Sequence, residues 1–215
     1  MDYELILRVY PYFLEAGLVT IELAVLSTAL GLACGAFGAF ARLSRSVLLR
    51  FTGAAYVSVF RGTPALIQIF ILYFGGPQIG IQLEAFEAGV IGLGINIGAY
   101  MTETIRGAII GVDKGQVEAS RTLGMSHWQT MHKVILPQAA RLMIRPLGVN
   151  INAQIKATAL VAAISVVELT YTAQRYIGST YKPFEMFLLA GIIYMVIIYI
   201  TGLGINWLDR RAQIK

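Results

Sequence analysis

The chain has 215 residues, of which 57% are hydrophobic and only 13% charged, and its formal net charge is +5. A soluble domain carries roughly 25% charged residues, and several windows here stay apolar over the ~20 residues that cross a bilayer, so the composition points to a polytopic membrane protein. The basic residues do not gather into a nucleic-acid face, and no nucleic-acid partner is expected. In lipid the backbone must satisfy its own hydrogen bonds, which leaves helices or a closed barrel. Continuous apolar runs without period-two alternation favour helices.

Five spans are read in chain order, at about residues 17–40, 51–74, 88–109, 147–167 and 187–208. Before the first span stand Asp2, Glu4 and Glu15 rather than a basic region, so a cleaved signal peptide is not expected. The first span carries Gly31, Gly35 and Gly38 at helical spacing, the single Cys34 as a small packing residue, and Glu22 at membrane depth. The second holds Arg61, Gly62, Thr63 and Pro64, a run that should interrupt or bend a helix. A broken helix in lipid needs shelter in protein or a cavity. Arg61 therefore marks either a bend beside a passage or a side chain that snorkels to headgroups.

In the third span Gly94 and Gly98 suit close helix packing. Asn96, Tyr100 and Glu103 follow i, i+4, i+7 and share one helix face. Ionisable residues at this depth are functional candidates by default, and Lys156 in the fourth span joins them. Asn150, Asn152 and Gln154 alternate and cannot all face one side of a helix, so some should bond between helices. Trp128 and Trp207 fall near interfaces, where aromatic belts form. His127 and His132 lack a ligand partner at metal-binding spacing, so no metal site is expected.

The connecting segments carry a charge asymmetry. Arg42, Arg45 and Arg50 follow the first span; Lys114, Arg121, Lys133, Arg141 and Arg145 lie between the third and fourth, with Arg106 near the membrane edge; Arg210, Arg211 and Lys215 follow the fifth. The other side holds only Arg8, Arg175 and Lys182. The positive-inside rule puts the first set in the cytoplasm, with the N-terminus outside and the C-terminus inside, which an odd number of spans satisfies.

Between the third and fourth spans, residues 113–137 form a long polar connection with its own helix punctuation. Asp113 with Gln116 reads as a capping box that opens a helix at Lys114. The helix reaches Leu123, and Gly124 suits the left-handed position beyond its end. Ser126 with Gln129 is a second capping box, opening a helix from His127 to Ile135 that Pro137 should limit. The segment thus reads as helix, glycine turn, helix, at the membrane surface.

Glu118, Ala119, Ser120, Gly124, Met125 and the Ile135-Leu136-Pro137 ending resemble the coupling loop of permease subunits of ABC importers, with Ser120 in place of a second alanine. FRGTP at 60–64, NIGAYMTETIRGAI at 96–109, LPQA at 136–139 and the 156–168 stretch resemble the polar amino acid subfamily, so the likeness covers nearly the whole chain. It implies an all-α inner-membrane protein with a cytoplasmic coupling helix between spans three and four. It implies the carriage of a polar amino acid or derivative, driven by two copies of a separate ATPase that binds ATP and Mg2+. A second permease subunit, identical or paralogous, and an extracytoplasmic solute-binding protein would complete the assembly, embedded in membrane lipid. No cofactor belongs to this chain, and no P-loop or hydrolytic triad is present, so it is not read as an enzyme alone.

For such a solute, Asn96, Tyr100, Glu103, Lys156 and Thr158 are the candidate path residues, Glu103 meeting an ammonium and Lys156 a carboxylate. The bland alternatives are a structural Glu103–Lys156 pair or a Glu103–Arg106 pair. Many relatives read Lys-Asp-Thr-Ser-Leu where this chain has Lys156-Ala157-Thr158-Ala159-Leu160, so a shared carboxylate and hydroxyl are missing. An ion-coupled secondary transporter and a non-transporting scaffold remain as other classes. The former usually carries internal repeats, and none stands out between the halves.

Overall fold

The computed structural model describes residues 2–213, and every regular element among them is helical. Lys215, counted above with the basic tail, lies outside the described residues. The elements are α1 (Tyr3–Leu43), α2 (Val47–Gly62), α3 (Ala65–Phe70), α4 (Ala85–Ile110), α5 (Lys114–Thr122), α6 (His127–Thr130), α7 (Leu136–Ala157), α8 (Leu169–Thr180) and α9 (Pro183–Gln213). A π-helical turn, Met131–Ile135, joins α6 to α7, and a 3-10 stretch, Thr158–Ile164, prolongs α7. By length and composition three helical segments among the described residues could cross a membrane: Tyr3–Leu43, His127–Ile164 and Pro183–Ala212. Val47–Gly62 with Ala65–Ile79, bent by 103°, makes a fourth if counted as one span. At 26 residues α4 is also long enough, but Asn96, Glu103 and its glycines dilute its apolar character.

Glycine sets the closest helix contact. A Cβ at Gly35 would lie 2.7 Å from Met101 Cβ, one at Gly94 2.7 Å from Leu30 Cδ2, and one at Gly98 2.8 Å from Cys34 Cβ. Gly31 likewise meets Ile97, and Gly38 meets Thr102. Residue numbers rise together along this seam, so α1 and α4 run parallel. The α2–α3 pair runs the other way: Gly98 of α4 faces Tyr56, whereas Gly92 faces Ile69 and Leu72 further along the chain. α7 is antiparallel to α4, since Leu142 reaches Gly111 while Asn150 donates to Thr104 Oγ1. It is antiparallel to α9 as well, where Gly148 packs on Ile205 and Arg145 bonds Asp209. The directions of α1, α2–α3, α4, α7 and α9 therefore alternate.

Two apolar clusters cap the bundle. One gathers Leu5, Val9 and Phe13 of α1 with Leu169 and Ala173 of α8 and Met186 and Ala190 of α9. The other, at the opposite end, gathers Ala39, Ile105, Ile109, Val112, Ile135 and Ala139. Between α1 and α7, Gln154 donates to Ser27 Oγ at 2.6 Å. The inter-helix bonding expected of the Asn150–Gln154 run is thus made by its first and last members. Asn152 Oδ1 is buried without a partner.

Three sequence readings change. Helix α8 fills the connection after the fourth span, where no helix was read. It is opened by Glu168, fully buried, whose carboxylate accepts from Tyr171 N and from Tyr194 Oη at 2.7 Å. Burial pushes this carboxyl above its ordinary range, and those hydrogen bonds hold it back. Asp113 caps α5 by accepting from Gly115 N at 2.8 Å, but the expected box with Gln116 does not close. Gln116 Oε1 accepts instead from Gln138 on α7. Pro137 does not limit the second loop helix. It sits in the first turn of α7, directly after the π-helical turn. A proline's lost N–H and its ring are awkward for the preceding turn, and widening that turn lets the helix pass through. The helix begun at His127 therefore runs on into α7 instead of lying separately at the surface.

Candidate functional site

Residues 113–137 form a compact knob on the apolar cluster at one end of the bundle. Val117 and Met131 pack on that cluster. Ser120 is buried, its hydroxyl donating to the Val117 carbonyl at 2.8 Å. Helix α5 then closes as a Schellman motif: Gly124 N donates to Arg121 O at 2.9 Å and Met125 N to Ser120 O at 3.0 Å. The price of this geometry is a positive φ of 71° at Gly124, which glycine alone adopts freely. The box at α6 is complete, with Gln129 N donating to Ser126 Oγ and Ser126 N to Gln129 Oε1. Glu118, Ala119, Leu123 and Trp128 stay exposed, Leu123 at 80% and Trp128 at 69%. The knob is anchored by one side and presents two large apolar side chains and a carboxylate on the other.

The second feature is the break between α2 and α3. Helix α2 ends at Gly62, Thr63 and Pro64 are extended, and α3 starts at Ala65. The break frees carbonyls that lipid could not satisfy. Gln68 supplies the donors: its Nε2 lies 3.1 Å from Phe60 O, 3.1 Å from Thr63 O and 2.7 Å from Thr63 Oγ1. Asn96 Nδ2 completes the clamp, donating to Phe60 O at 2.8 Å and to Gln68 Oε1 at 3.1 Å. Arg61 is exposed beside the break, its guanidinium 5.0 Å above the Tyr100 ring. An amide within an apolar run was the signal for Gln68, and the sequence reading passed over it.

The candidate path residues do not share one set of partners. Asn96 belongs to the clamp and Tyr100 lies under Arg61. Glu103 accepts from Arg42 of α1 and from Arg106, the latter at 2.9 Å. A Glu103–Lys156 pair is not among the ion pairs of the described residues, and Glu103 is not the free carboxylate that an ammonium-binding role requires. The Glu103–Arg106 alternative is the one formed, with Arg42 added from a position assigned to a loop. Lys156 is exposed and lines a hollow with Ala159, Gly191, Tyr194 and Tyr199. Thr158 is buried behind it, donating to Ile155 O at 2.7 Å and lying 3.3 Å from Tyr194 Oη. Among the described residues no group of three His, Cys, Asp or Glu side chains is placed to hold a metal.

Residues 28–214 match the family described as "Binding-protein-dependent transport system inner membrane component". The chain belongs to this family. As such an inner membrane component it is a permease, from a family without enzyme activity of its own, and the ion-coupled carrier is set aside. It is 38% identical to the probable amino-acid ABC transporter permease protein YckA of Bacillus subtilis (strain 168), over 97% of this chain and 92% of that protein. It is 34% identical to the glutamine transport system permease protein GlnP of Escherichia coli (strain K12), over 99% and 98% of the two chains. Among solved structures, an amino acid ABC transporter crystallised with histidines matches at a TM-score of 0.93 and 34% identity, covering 98% of this chain and 99% of that one. The MetNI methionine ABC transporter in an inward-facing form matches at a TM-score of 0.74 and 18% identity, a likeness of fold.

Removing the clamp tests the break directly. Gln68→Leu keeps the side chain's bulk but leaves the Phe60 and Thr63 carbonyls short of donors, at about 1–3 kcal/mol for a buried orphaned group. The expected result is a lower melting temperature of the purified inner membrane component and lower transport at normal membrane abundance. Unchanged melting and transport would mean that Gln68 does not hold the bend.

Proposed function

We propose that this inner membrane component is the transmembrane subunit of an ATP-driven importer for a polar amino acid or amino acid derivative, moved by a separate ATPase that binds ATP and Mg2+. The observation that carries the reading is the knob at 113–137: a segment fixed to the bundle on one side, with Glu118, Ala119, Leu123 and Trp128 open to a partner on the other. The full-length likeness to amino-acid ABC permeases supports the solute class.

The reading has five crossings, with the N-terminus outside and the C-terminus in the cytoplasm. The alternating directions of α1, α2–α3, α4, α7 and α9 support that count, with the bent pair serving as one crossing. The knob shares its end of the bundle with Arg42 and Arg106, flanked by Arg45 and Arg145, and the positive-inside rule makes that end cytoplasmic. A single domain then carries the whole passage. Five helices enclose little space, so a second permease, identical or paralogous, is expected to complete it, with two ATPase subunits below and a solute-binding protein above.

In this scheme Glu118, Ala119, Ser120, Gly124, Met125 and Pro137 serve the coupling contact, Arg61 to Pro64 the bend, and Asn96, Tyr100, Glu103, Lys156 and Thr158 the walls of the passage. The run from His127 through the π-helical turn into α7 gives the coupling a route. A push on the knob moves the start of a transmembrane helix rather than a detached surface segment.

The test is reconstitution with a partner ATPase and a solute-binding protein. ATP hydrolysis stimulated by the solute-loaded binding protein, with accumulation of a polar amino acid in proteoliposomes, is expected. Uptake driven by an ion gradient without the ATPase would overturn the proposal.

A further inference from the structure

The break between α2 and α3 leaves Arg61 without a structural task. The carbonyls that the break frees are met by Gln68 and Asn96. Among the described residues Arg61 makes no ion pair and no hydrogen bond. Its guanidinium rests 5.0 Å over the ring of Tyr100, itself 39% exposed, and the arginine side chain is open beyond that contact.

Depth gives this exposure its meaning. Tyr100 stands ten residues before the end of α4 at Ile110, about 15 Å along the helix. Arg61 stands fourteen residues into α2 from Val47, about 21 Å. Both lengths exceed the reach of an arginine side chain. With five crossings they put the guanidinium near the middle of the ~30 Å hydrocarbon core, where it cannot snorkel to headgroups. A guanidinium without a counter-charge does not face acyl chains at that depth. The surface beneath it is polar as well. Tyr100, Thr104 and Gly107 follow i, i+4, i+7 on α4, Gly107 is exposed, and Thr104 Oγ1 accepts from Asn150. Such a face belongs against water inside a passage. Glu103, the acid next along α4, is already held by Arg42 and Arg106, so these residues set three guanidiniums against one carboxylate.

We infer that Arg61 receives the solute's carboxylate inside the passage, and that the solute is an amino acid without net positive charge. Tyr100 engages the flat face of the guanidinium, which leaves the N–H groups along its edge open. Two of those donors, side by side, match a carboxylate. The surplus of positive charge draws an anionic group to this wall and opposes a cationic side chain. The carboxylate contact rests on the importer reading above. The water-lined, anion-attracting wall rests on the five crossings alone.

Thiol labelling beside Arg61 provides the test, on the assembled importer in nanodiscs without nucleotide. The chain carries Cys34→Ser and Gly62→Cys; a Cβ at Gly62 meets nothing within 4 Å, so the fold tolerates the reporter. Negatively and positively charged methanethiosulfonates are compared by mass spectrometry of this chain, each rate divided by that reagent's rate with free cysteine. Both should label, with a preference of about tenfold for the anionic reagent that disappears when Arg61→Met is added. The twenty standard L-amino acids are then added singly. At least one uncharged or acidic amino acid should slow labelling, and the effect should be lost with its carboxyl amide and in Arg61→Met. Absence of labelling by either reagent would mean that lipid or a second permease covers this face, and would overturn the inference. A charge preference that survives Arg61→Met would do the same. So would protection by the amide, protection retained in Arg61→Met, protection by lysine or arginine alone, or no protection by any amino acid. ATP hydrolysis stimulated by the loaded binding protein, measured in the same nanodiscs, judges the importer reading separately.

Discussion

Uptake by the assembled importer is expected to fall by about tenfold or more, equivalent to ~1.4 kcal/mol, when Glu118 is replaced by lysine or Gly124 by valine. Both variants should still reach the membrane in normal amounts. The Glu118 side chain is exposed and makes no hydrogen bond or ion pair with the described residues of this chain. Reversing its charge therefore spares the fold and acts on whatever docks there. Gly124 works through the backbone. A Cβ there would meet nothing within 4 Å, but φ is +71°, a conformation that costs an L-residue roughly 1–2 kcal/mol. Valine would shift the turn that aims α5, whereas asparagine tolerates the left-handed region and should retain most transport. Uptake and ATP hydrolysis are measured side by side on the reconstituted complex. Hydrolysis that no longer responds to loaded binding protein, with membrane abundance unchanged, is the expected signature. Full uptake by both variants would remove the knob from the drive.

The largest loss of stability is expected from Gly98→Val. A Cβ at Gly98 would stand 2.6 Å from Tyr56 Oη, 2.8 Å from Cys34 Cβ and 3.1 Å from Gly31 O. The last is backbone on the opposing helix and cannot rotate away. Overpacking of this kind costs about 1–3 kcal/mol or more, and valine adds two methyl groups beyond the Cβ. Gly191→Ala is the control, since nothing lies within 4 Å of its Cβ position. Cys34, the single cysteine, sits in the seam and reports on it. Maleimide labelling during heating should begin roughly 5–10 °C earlier in Gly98→Val and be unchanged in Gly191→Ala. Equal labelling profiles would show that the α1–α4 seam yields more readily than its spacing implies.

Much of this architecture was legible because it depends on local pattern. Apolar length marked the long helices, and glycine spacing marked the seam. Gly124 and the Ser126–Gln129 box signalled a turn and a helix start that chain-local hydrogen bonds alone can make. What escaped was decided by partners distant in sequence. Gln116 was diverted from its box by Gln138, and Glu103 was claimed by Arg42, which had been given to a loop. Glu168 gave no sign that Tyr194, on another helix, would meet its carboxylate. The passage past Pro137 escaped for a different reason, since a widened turn leaves no residue signature that separates it from a helix end. For the candidate path, sequence spacing located the shared face of Asn96, Tyr100 and Glu103. It could not foresee that each side chain would be engaged from a different direction.

The parallel seam between α1 and α4 also has a consequence for biosynthesis. A ribosome delivers α1 to the membrane well before α4 has been made, so the first helix must wait in lipid without its main partner. Its buried threonine and serine tide it over, because Thr20 and Ser27 donate to carbonyls of their own helix at 3.0 Å and 2.6 Å. The glycine face, bare of side chains, asks nothing of the lipid during the wait. Closing the seam is then a docking step that cannot begin until α4 has entered the membrane.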